Sequence, residues 1–377
     1  MDKKNIYLDI SATTPMDKDV AEQMHKANKS LFGNPSSIHS FGQSARAQIE
    51  VARKKIAKAM GCSSGEIIFT SGGSESNNHA LGSILSAGDH VITSSYEHPS
   101  VLEALETVRG IEVSYISPDT DGTIKPDSID SYIRSNTKLI SIMWANNEMG
   151  TVNDIQAMSD IAAARNILFH SDAVQAFGKI PIDLERTRID FMSVTAHKIY
   201  GPKGIGALFI RSGNKIDPLI YGGGQEQGLR AGTENTSSII GFGAAAEIAC
   251  TDIDSHTSYV NQLEEKLIRD LEKSSIEFSV NGTTRLPGVF NVCFNNIKGS
   301  ELLMNLDIEG VAISYGSACS SGSLKPSETL TKCGIDPSIA ESSVRISFGR
   351  LNTADDIDIL IDKVIEYSEK NKVLSGG

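Results

Sequence analysis

The chain contains 377 residues, of which 40% are hydrophobic and 22% are charged, and its net charge is −12. This composition is typical of a globular protein, and the length predicts one large domain with a smaller one. The negative net charge argues against a permanent nucleic-acid-binding surface. No run approaches the roughly 20 apolar residues of a membrane helix, and the start lacks a signal pattern, so we expect a cytoplasmic protein.

The first two thirds of the chain alternate apolar runs with segments of helical spacing. One such helical segment, SARAQIEVARKKIAKAM, precedes the first run. The runs are GEIIFTSG, DHVITSS, KLISIMWAN, NILFHSDA, IDFMSVTA and GIGALFIR. Strands that are apolar on both faces and alternate with helices predict an α/β fold with a mostly parallel sheet flanked by helices.

The chain changes character after about residue 250. A long helical segment, SYVNQLEEKLIRDLEKS, leads to shorter strands and a closing helix, which are FSVNG, GVFNVCFN, VAISYG and ADDIDILIDKVIEYSEK. This pattern predicts a smaller α+β domain. We assign residues 15–255 to the large domain, and residues 1–14 and 256–377 to the small one.

Polar, reactive segments follow five of the predicted strands: SGGSESNN, YEHPS, NNEMG, SDAVQ and TAHKIYGPKG. Because open α/β sheets bind ligands beyond the carboxyl ends of their strands, these segments predict one shared crevice. In the first segment, a Gly-rich turn at 71–74 could present backbone N–H groups to an anion at a helix N-terminus. A plain structural turn is the alternative, since the turn matches neither common nucleotide-binding pattern.

Asp172 and Lys198 end two successive predicted strands. A pyridoxal phosphate (PLP) enzyme needs a lysine that bonds to the cofactor and a carboxylate that keeps the pyridine nitrogen protonated. A helix N-cap and a surface lysine are the alternatives for these two residues. His98, on another strand-end loop, could stack on such a ring or move protons, although a structural histidine is the alternative.

The five cysteines are odd in number and widely spaced, which predicts neither a disulfide framework nor a metal site. Four of them, Cys62, Cys250, Cys293 and Cys333, are expected to pack as small buried hydrophobes. Cys319 differs because it lies in a run of small polar residues, SYGSACSSGSLKPSE, which permits a mobile and reactive thiol. Downstream, Arg345 and Arg350 could each bind a substrate carboxylate, with ordinary ion pairs as the alternative.

Taken together, these segments resemble the cysteine desulfurases, PLP enzymes of fold type I grouped with the class V aminotransferases. Nine ordered motifs carry the resemblance over nearly the whole chain: YLDISATTP, FGNPSSIHSFGQ, FTSGGSESNN, NNEMGTVNDI, SDAVQAFGKIPID, TAHKIYGPKGIGAL, YGGGQEQGLRAGTEN, GSACSSGSL and VRISFGR. The GSAC form of the cysteine loop is similar to that of the iron-sulfur-assembly and nitrogen-fixation desulfurases.

The resemblance implies a role for each matching residue at the PLP ring. Lys198 would bond to the cofactor, and Asp172 would pair with the pyridine nitrogen. His98 would stack on the ring and could donate a proton during sulfur transfer. Gln175 and Asn147 would approach the ring's phenolic oxygen.

The resemblance also implies roles at the phosphate and the substrate. The phosphate would be held by Gly73, Ser74, Thr195 and His197. Thr233 would reach the phosphate of the other subunit in a homodimer. Arg345 would bind the substrate carboxylate, and Cys319 would be the nucleophile.

The implied activity converts L-cysteine to L-alanine and leaves a persulfide on Cys319. The sulfur would pass to an acceptor protein, such as an iron-sulfur scaffold or a tRNA-thiolation enzyme. One alternative is a selenocysteine lyase or another class V lyase or transaminase. A second alternative is a catalytically inactive dimeric member that acts as an interaction or regulatory subunit. The GSAC loop argues against the first. The second is opposed by the presence of all four key residues, Lys198, Asp172, His98 and Cys319. Gln227, where arginine is usual, and Ala196, where glycine is common, depart from the family pattern.

Overall fold

The computed structural model describes residues 5–316 and 325–375, without the side chains of 371–375. The strands are β1 (Ile6–Tyr7), β2 (Ile67–Thr70), β3 (His90–Ser94), β4 (Glu112–Ile116), β5 (Thr137–Ser141), β6 (Leu168–Asp172), β7 (Phe191–Thr195), β8 (Gly206–Ile210), β9 (Phe278–Asn281), β10 (Val289–Phe294), β11 (Val311–Ala312) and β12 (Ser343–Ser347). The helices are α1 (Lys18–Ser30), α2 (Ser40–Met60), α3 (Gly73–Ile84), α4 (Pro99–Thr107), α5 (Ile155–Ala164), α6 (Thr236–Thr251), α7 (Ile253–Lys273), α8 (Gly299–Ile308), α9 (Glu328–Lys332), α10 (Pro337–Glu341) and α11 (Ala354–Ser375).

A seven-stranded sheet forms the centre of the larger part of the molecule, with the strand order β2-β8-β7-β6-β5-β3-β4. The five strands from β7 to β4 are parallel to one another, which confirms the predicted fold class. Strand β8 runs antiparallel to both neighbours. Only residues 196–205 separate β7 from β8, and a parallel return needs a longer crossover. The sequence analysis did not predict β4, an edge strand whose residues are partly exposed.

Helices cover both faces of this sheet because successive strand residues point to opposite sides. Phe191 of β7 packs with apolar residues of α3 and α4, whereas its neighbour Met192 packs with those of α2, α5 and α6. The residues of β2, β3, β7 and β8 are therefore buried on both faces of the sheet. None of the described helices combines the length and apolarity needed to cross a membrane.

A second hydrophobic core surrounds an antiparallel sheet of the order β12-β10-β9. Apolar residues of α7, α8 and α11 pack on this sheet. Strand β1 joins the same core and pairs with β11 in parallel, so the start of the chain lies beside its last third. The first four residues of the segment VRISFGR belong to β12, a strand that the sequence analysis did not predict. The domain limits at residues 14 and 255 stay a prediction.

Candidate active site

A cavity of about 230 Å³ lies where the predicted strand-end segments meet. Its lining comes from the ends of β2, β3, β5, β6 and β7 and the loops after them, from the segment after β1, and from β12. Ten of the twelve predicted site residues line it: Gly73, Ser74, His98, Asn147, Asp172, Gln175, Thr195, His197, Lys198 and Arg345. The convergence follows from the parallel strands, whose carboxyl ends share one edge of the sheet.

Lys198 ends a short 3-10 turn that directly follows β7. This turn aims the side chain at the N-terminal segment. The Nζ atom donates hydrogen bonds to the carbonyl oxygens of Ser11 and Ala12, the second at 2.8 Å. The amine is thereby held at the cavity by acceptors that carry no charge.

Asp172, at the end of β6, is buried and connected to His98 through two intermediate side chains. The Asn77 amide donates to the Asp172 carboxylate at 2.7 Å and to the Ser100 hydroxyl at 2.9 Å. The Ser100 hydroxyl oxygen lies 2.7 Å from Nδ1 of His98, and the Ser100 backbone N–H also donates to that nitrogen. Because Nδ1 accepts a hydrogen bond, a neutral His98 ring carries its proton on Nε2.

The N-terminus of α3 forms another wall of the cavity. No described side chain caps this helix, so its first backbone N–H groups can bind an anion. A Cβ on Gly73 would lie 2.6 Å from Cγ2 of Val174, so any larger residue here would force the Val174 side chain to shift. Ser74 adds a hydroxyl in the first turn.

His197 and Thr195 border the same part of the cavity from β7 and the turn after it. Burial, together with the charges of Lys198, Lys203 and Lys179, lowers the pKa of His197 to about 4. The ring is therefore neutral at physiological pH. Its Nδ1 atom lies 3.1 Å from the Thr13 hydroxyl oxygen. A neutral imidazole can act as a hydrogen-bond donor without adding charge.

Arg345 enters the cavity from the middle of β12 and is only 2% exposed. Its guanidinium donates to the Asn147 carbonyl oxygen at 2.7 Å and pairs with the Asp9 carboxylate at 2.6 Å. Nε has no hydrogen-bond partner among the residues that the structure describes. Arg345 can thus offer a further donor to an anionic ligand while Asp9 balances its charge.

Two predicted site residues are not in this arrangement. Thr233 is exposed on the loop before α6 and lies apart from the cavity of its own chain. Cys319 lies outside the described residues. The stretch that carries it begins after Gly316, two residues beyond Ser314, whose backbone pairs with that of Arg345.

The four other cysteines have thiols that resist ionisation. Burial raises the pKa of Cys62 to about 12, that of Cys333 to about 12 and that of Cys250 to about 11, and it also raises the pKa of Cys293. Cys293 and Cys333 are buried, and Cys62 and Cys250 are half-buried. Since the thiolate is the nucleophile, these four are poor candidates for it.

The donor set fits PLP. The cavity has an amine for the carbonyl carbon of PLP and a carboxylate for its pyridine nitrogen. It also has an imidazole for the ring face and a helix N-terminus for the phosphate. The buried Ser11 hydroxyl, which also lines the cavity, has no hydrogen-bond partner among the described residues. Buried polar atoms are normally paired, so this one is consistent with a polar ligand.

Sequence reasoning missed Asn77, Ser100 and the carbonyl groups of Ser11 and Ala12. Asn77 and Ser100 lie inside the segments SGGSESNN and YEHPS, so the strand-end pattern contained them without separating them from their neighbours. Asn77 follows Gly73 by four residues, which places both on one face of α3. Backbone acceptors leave no signal in a sequence.

Comparison with known proteins agrees with this chemistry. Residues 6–360 match the family described as Aminotransferase class-V. A relative named cysteine desulfurase IscS, from Dictyoglomus turgidum, is 46% identical over 99% of this chain and 97% of its own. A solved structure described as a NifS-like protein has a TM-score of 0.91 and 36% identity over 97% of this chain and 100% of its own. Another, described as SspA in complex with cysteine, has a TM-score of 0.80 and 38% identity over 91% of this chain and 98% of its own.

The matching residues span nearly the whole chain and include every segment that lines the cavity. The chain belongs to the class-V aminotransferase family, within its cysteine desulfurase group.

Proposed function

We propose that this chain is a PLP-dependent enzyme that converts L-cysteine to L-alanine and retains the sulfur as a persulfide on Cys319. The observation that carries the proposal is the meeting of Lys198, Asp172 and Arg345 in one cavity. The relative from Dictyoglomus turgidum, which bears the desulfurase name, supports the reaction. The SspA structure, described as a complex with cysteine, supports the substrate.

PLP would be held along the length of the cavity. Its phosphate would meet the N-terminus of α3, with contributions from Gly73, Ser74, Thr195 and His197. Asp172 would keep a proton on the pyridine nitrogen, and His98 would cover one face of the ring. Gln175 and Asn147 would face the phenolic oxygen.

Bound PLP supplies an electron sink for the charge left when a proton leaves the substrate's α-carbon. The Lys198 amine accepts that proton as the general base. Asp172 is suited to its role because two donors, the Asn77 amide and the Val174 backbone N–H at 2.9 Å, fix the orientation of its carboxylate. Nδ1 of His98 accepts a bond from Ser100, so proton transfer by a neutral ring would use Nε2.

Arg345 would bind the carboxylate of L-cysteine. Its guanidinium already has a balancing charge in Asp9, so the substrate would add hydrogen bonds without having to neutralise a bare buried cation. The planar fork also orients the amino acid, which places its α-carbon toward Lys198.

Sulfur transfer would use the Cys319 thiolate. Its sulfur attacks the substrate sulfur, an S–S bond forms and the substrate C–S bond breaks. The electron pair of that bond goes to the carbon, which takes up a proton to become the methyl group of alanine. The pairing of Ser314 with Arg345 supports this assignment, because it places a residue five positions before Cys319 beside the cavity.

We further propose a homodimer in which Thr233 of each subunit approaches the phosphate of its partner. Thr233 is exposed, as are the large apolar side chains of Phe32, Ile38 and Tyr221. The loops at 35–36 and 224–227 share one groove with Glu234. Large exposed apolar side chains favour a protein contact.

The persulfide sulfur would pass to an acceptor protein, such as an iron-sulfur scaffold or a tRNA-thiolation enzyme. The compartment we propose is the cytoplasm. The four cysteines that the structure describes are free thiols, which is typical of a reducing compartment.

The test is a reaction of purified wild type and Cys319→Ser with L-cysteine, following alanine, sulfide and the cofactor absorbance together. We expect a cofactor band in both proteins, and stoichiometric alanine and sulfide from the wild type alone. Full sulfide release by Cys319→Ser would reject the nucleophile. A band without cysteine-dependent alanine would indicate another PLP activity, and no band would indicate an idle subunit.

A further inference from the structure

Lys179 lies beside the cavity but has no part in the mechanism above. Two backbone turns after β6 bring it back toward the site, with Phe177 N–H bonded to the Ala173 carbonyl and Lys179 N–H to that of Ala176. Gly178 between them has φ +73°, and a Cβ there would lie 2.8 Å from Ile199 and 2.9 Å from Ala249. The fold therefore requires glycine at this position in order to turn Lys179 inward.

The Lys179 ammonium reaches the side chain of Gln175. Nζ donates to the Gln175 Oε1 atom at 2.9 Å, and Nε2 of the same amide donates to the Ser11 carbonyl oxygen at 2.9 Å. Gln175 is buried and lines the cavity.

These two contacts determine which way the amide points. A lysine has only donors, so it requires the amide oxygen; a backbone carbonyl has only acceptor sites, so it requires the amide nitrogen. The flipped amide would lose both bonds. One Nε2 hydrogen binds Ser11, and the other can be donated to an acceptor within the cavity.

The charge on Lys179 depends on what lies beside Gln175. Burial, with the charges of Lys198 and Arg345 added to it, lowers the pKa of Lys179 to about 7. An anionic acceptor beside Gln175 would favour the charged form of Lys179. A donor that is itself hydrogen-bonded to a cation is polarised and donates more strongly.

We propose that Lys179 is a positioning residue that acts through Gln175, orienting and polarising its amide so that Nε2 donates to the phenolic oxygen of bound PLP. This inference rests on the proposed function. It assigns a role to Lys179, a half-buried lysine in the motif SDAVQAFGKIPID that neither binds substrate nor bonds to the cofactor.

The test is the pH titration of the absorbance of bound PLP. Strong donation to the phenolic oxygen stabilises the deprotonated, more negative form of the cofactor. Lys179→Met should therefore raise the midpoint of the absorbance change by about one pH unit, a tenfold shift in the proton equilibrium. Lys203→Met is the matched control, because Lys203 also lies near His197 but is exposed; its midpoint should equal that of the wild type.

A double-mutant cycle tests whether Lys179 acts through the amide. Gln175→Met should raise the midpoint by itself, and adding Lys179→Met should then change it little, because the shared contact is already absent. An undiminished Lys179 effect in the Gln175→Met background would overturn the positioning role. If Lys179→Met does not retain PLP, Lys179→Gln replaces it; a smaller rise is expected, and a wild-type midpoint overturns the proposal.

The outcomes separate this inference from the proposed function. A wild-type protein with bound PLP and cysteine turnover, and a Lys179→Met midpoint equal to that of the wild type, would reject the role of Lys179 alone. A wild-type protein that does not bind PLP would reject the proposed function and this role with it.

Discussion

The seven-stranded sheet and the three-stranded sheet both border the cavity, but they contribute to it in different ways. Parallel strands end at one edge, so the large sheet delivers Asp172, Lys198 and several loop residues to one place. In the antiparallel sheet, neighbouring strands end on opposite sides. Its contribution is Arg345, from the middle of β12. The large sheet thus assembles the chemistry, and the small sheet adds one rigid anchor.

The largest effect should come from removing the base that the large sheet supplies. We expect Lys198→Ala to lower alanine formation by about 10⁴-fold, because it removes both the cofactor bond and the general base. The measurement is alanine release from L-cysteine by the purified protein, with the absorbance of bound PLP recorded alongside. Activity within tenfold of the wild type would assign the base to another residue.

The anchor of the small sheet should affect substrate binding next most strongly. Arg345→Lys loses the planar fork, so we expect kcat/KM for L-cysteine to fall by about 100-fold, mainly through KM. Arg350→Lys is the matched control, because Arg350 forms a similar ion pair with Asp17 at 2.6 Å but borders a different cavity. An equal rise in KM for both variants would contradict substrate binding by Arg345.

Glu97, at the end of the large sheet, should make stability depend on pH. Burial, with the charge of Asp172 added to it, raises the pKa of Glu97 from 4.5 to about 8. The folded state therefore keeps a proton that the unfolded state loses. Stability from this group is fully present below pH 4.5 and falls as the pH rises toward 8, by up to about 1.4 kcal/mol per pH unit.

Glu97→Gln should remove that fall, since an amide does not titrate. The check is denaturant unfolding of the PLP-free protein between pH 5 and about 8.5, a range that spans the raised pKa. Parallel pH profiles for the wild type and Glu97→Gln would contradict the protonated carboxyl. One Glu97 oxygen accepts bonds from Ser94 and the Met143 backbone, while the other has no partner among the described residues, so a charged carboxylate would have one oxygen without a donor.

The smallest effect should come from the core behind the small sheet. Ile357 of α11 is fully buried there, and Ile357→Val should lower the free energy of unfolding by about 1 kcal/mol. Because the residue packs away from the cavity, the KM for L-cysteine should stay at the wild-type value. A rise in KM would mean that packing in the core behind the three-stranded sheet affects the position of Arg345.

Much of the fold and of the candidate site follows from local sequence patterns. The six apolar runs of the large domain correspond to β2, β3 and β5–β8, and the reactive segments after them supply most of the cavity lining. The patterns failed where the local signal is weak. Strand β4 is partly exposed at an edge, and β1 has only two residues. Cys319 stays a prediction, because it lies outside the described residues.

The sequence by itself determined the alternation of strands and helices and the residue types at the strand ends, because both depend on neighbours along the chain. Tertiary structure decided which atoms meet. Gln175 bonds to Ser11 across 164 residues of sequence, and Arg345 pairs with Asp9 across 336. The reversed direction of β8, the bridge from Asp172 through Asn77 to His98, and the contact of Lys179 with Gln175 all depend on packing. Hydrogen bonding and burial act over a few ångströms in space, whatever the separation along the chain.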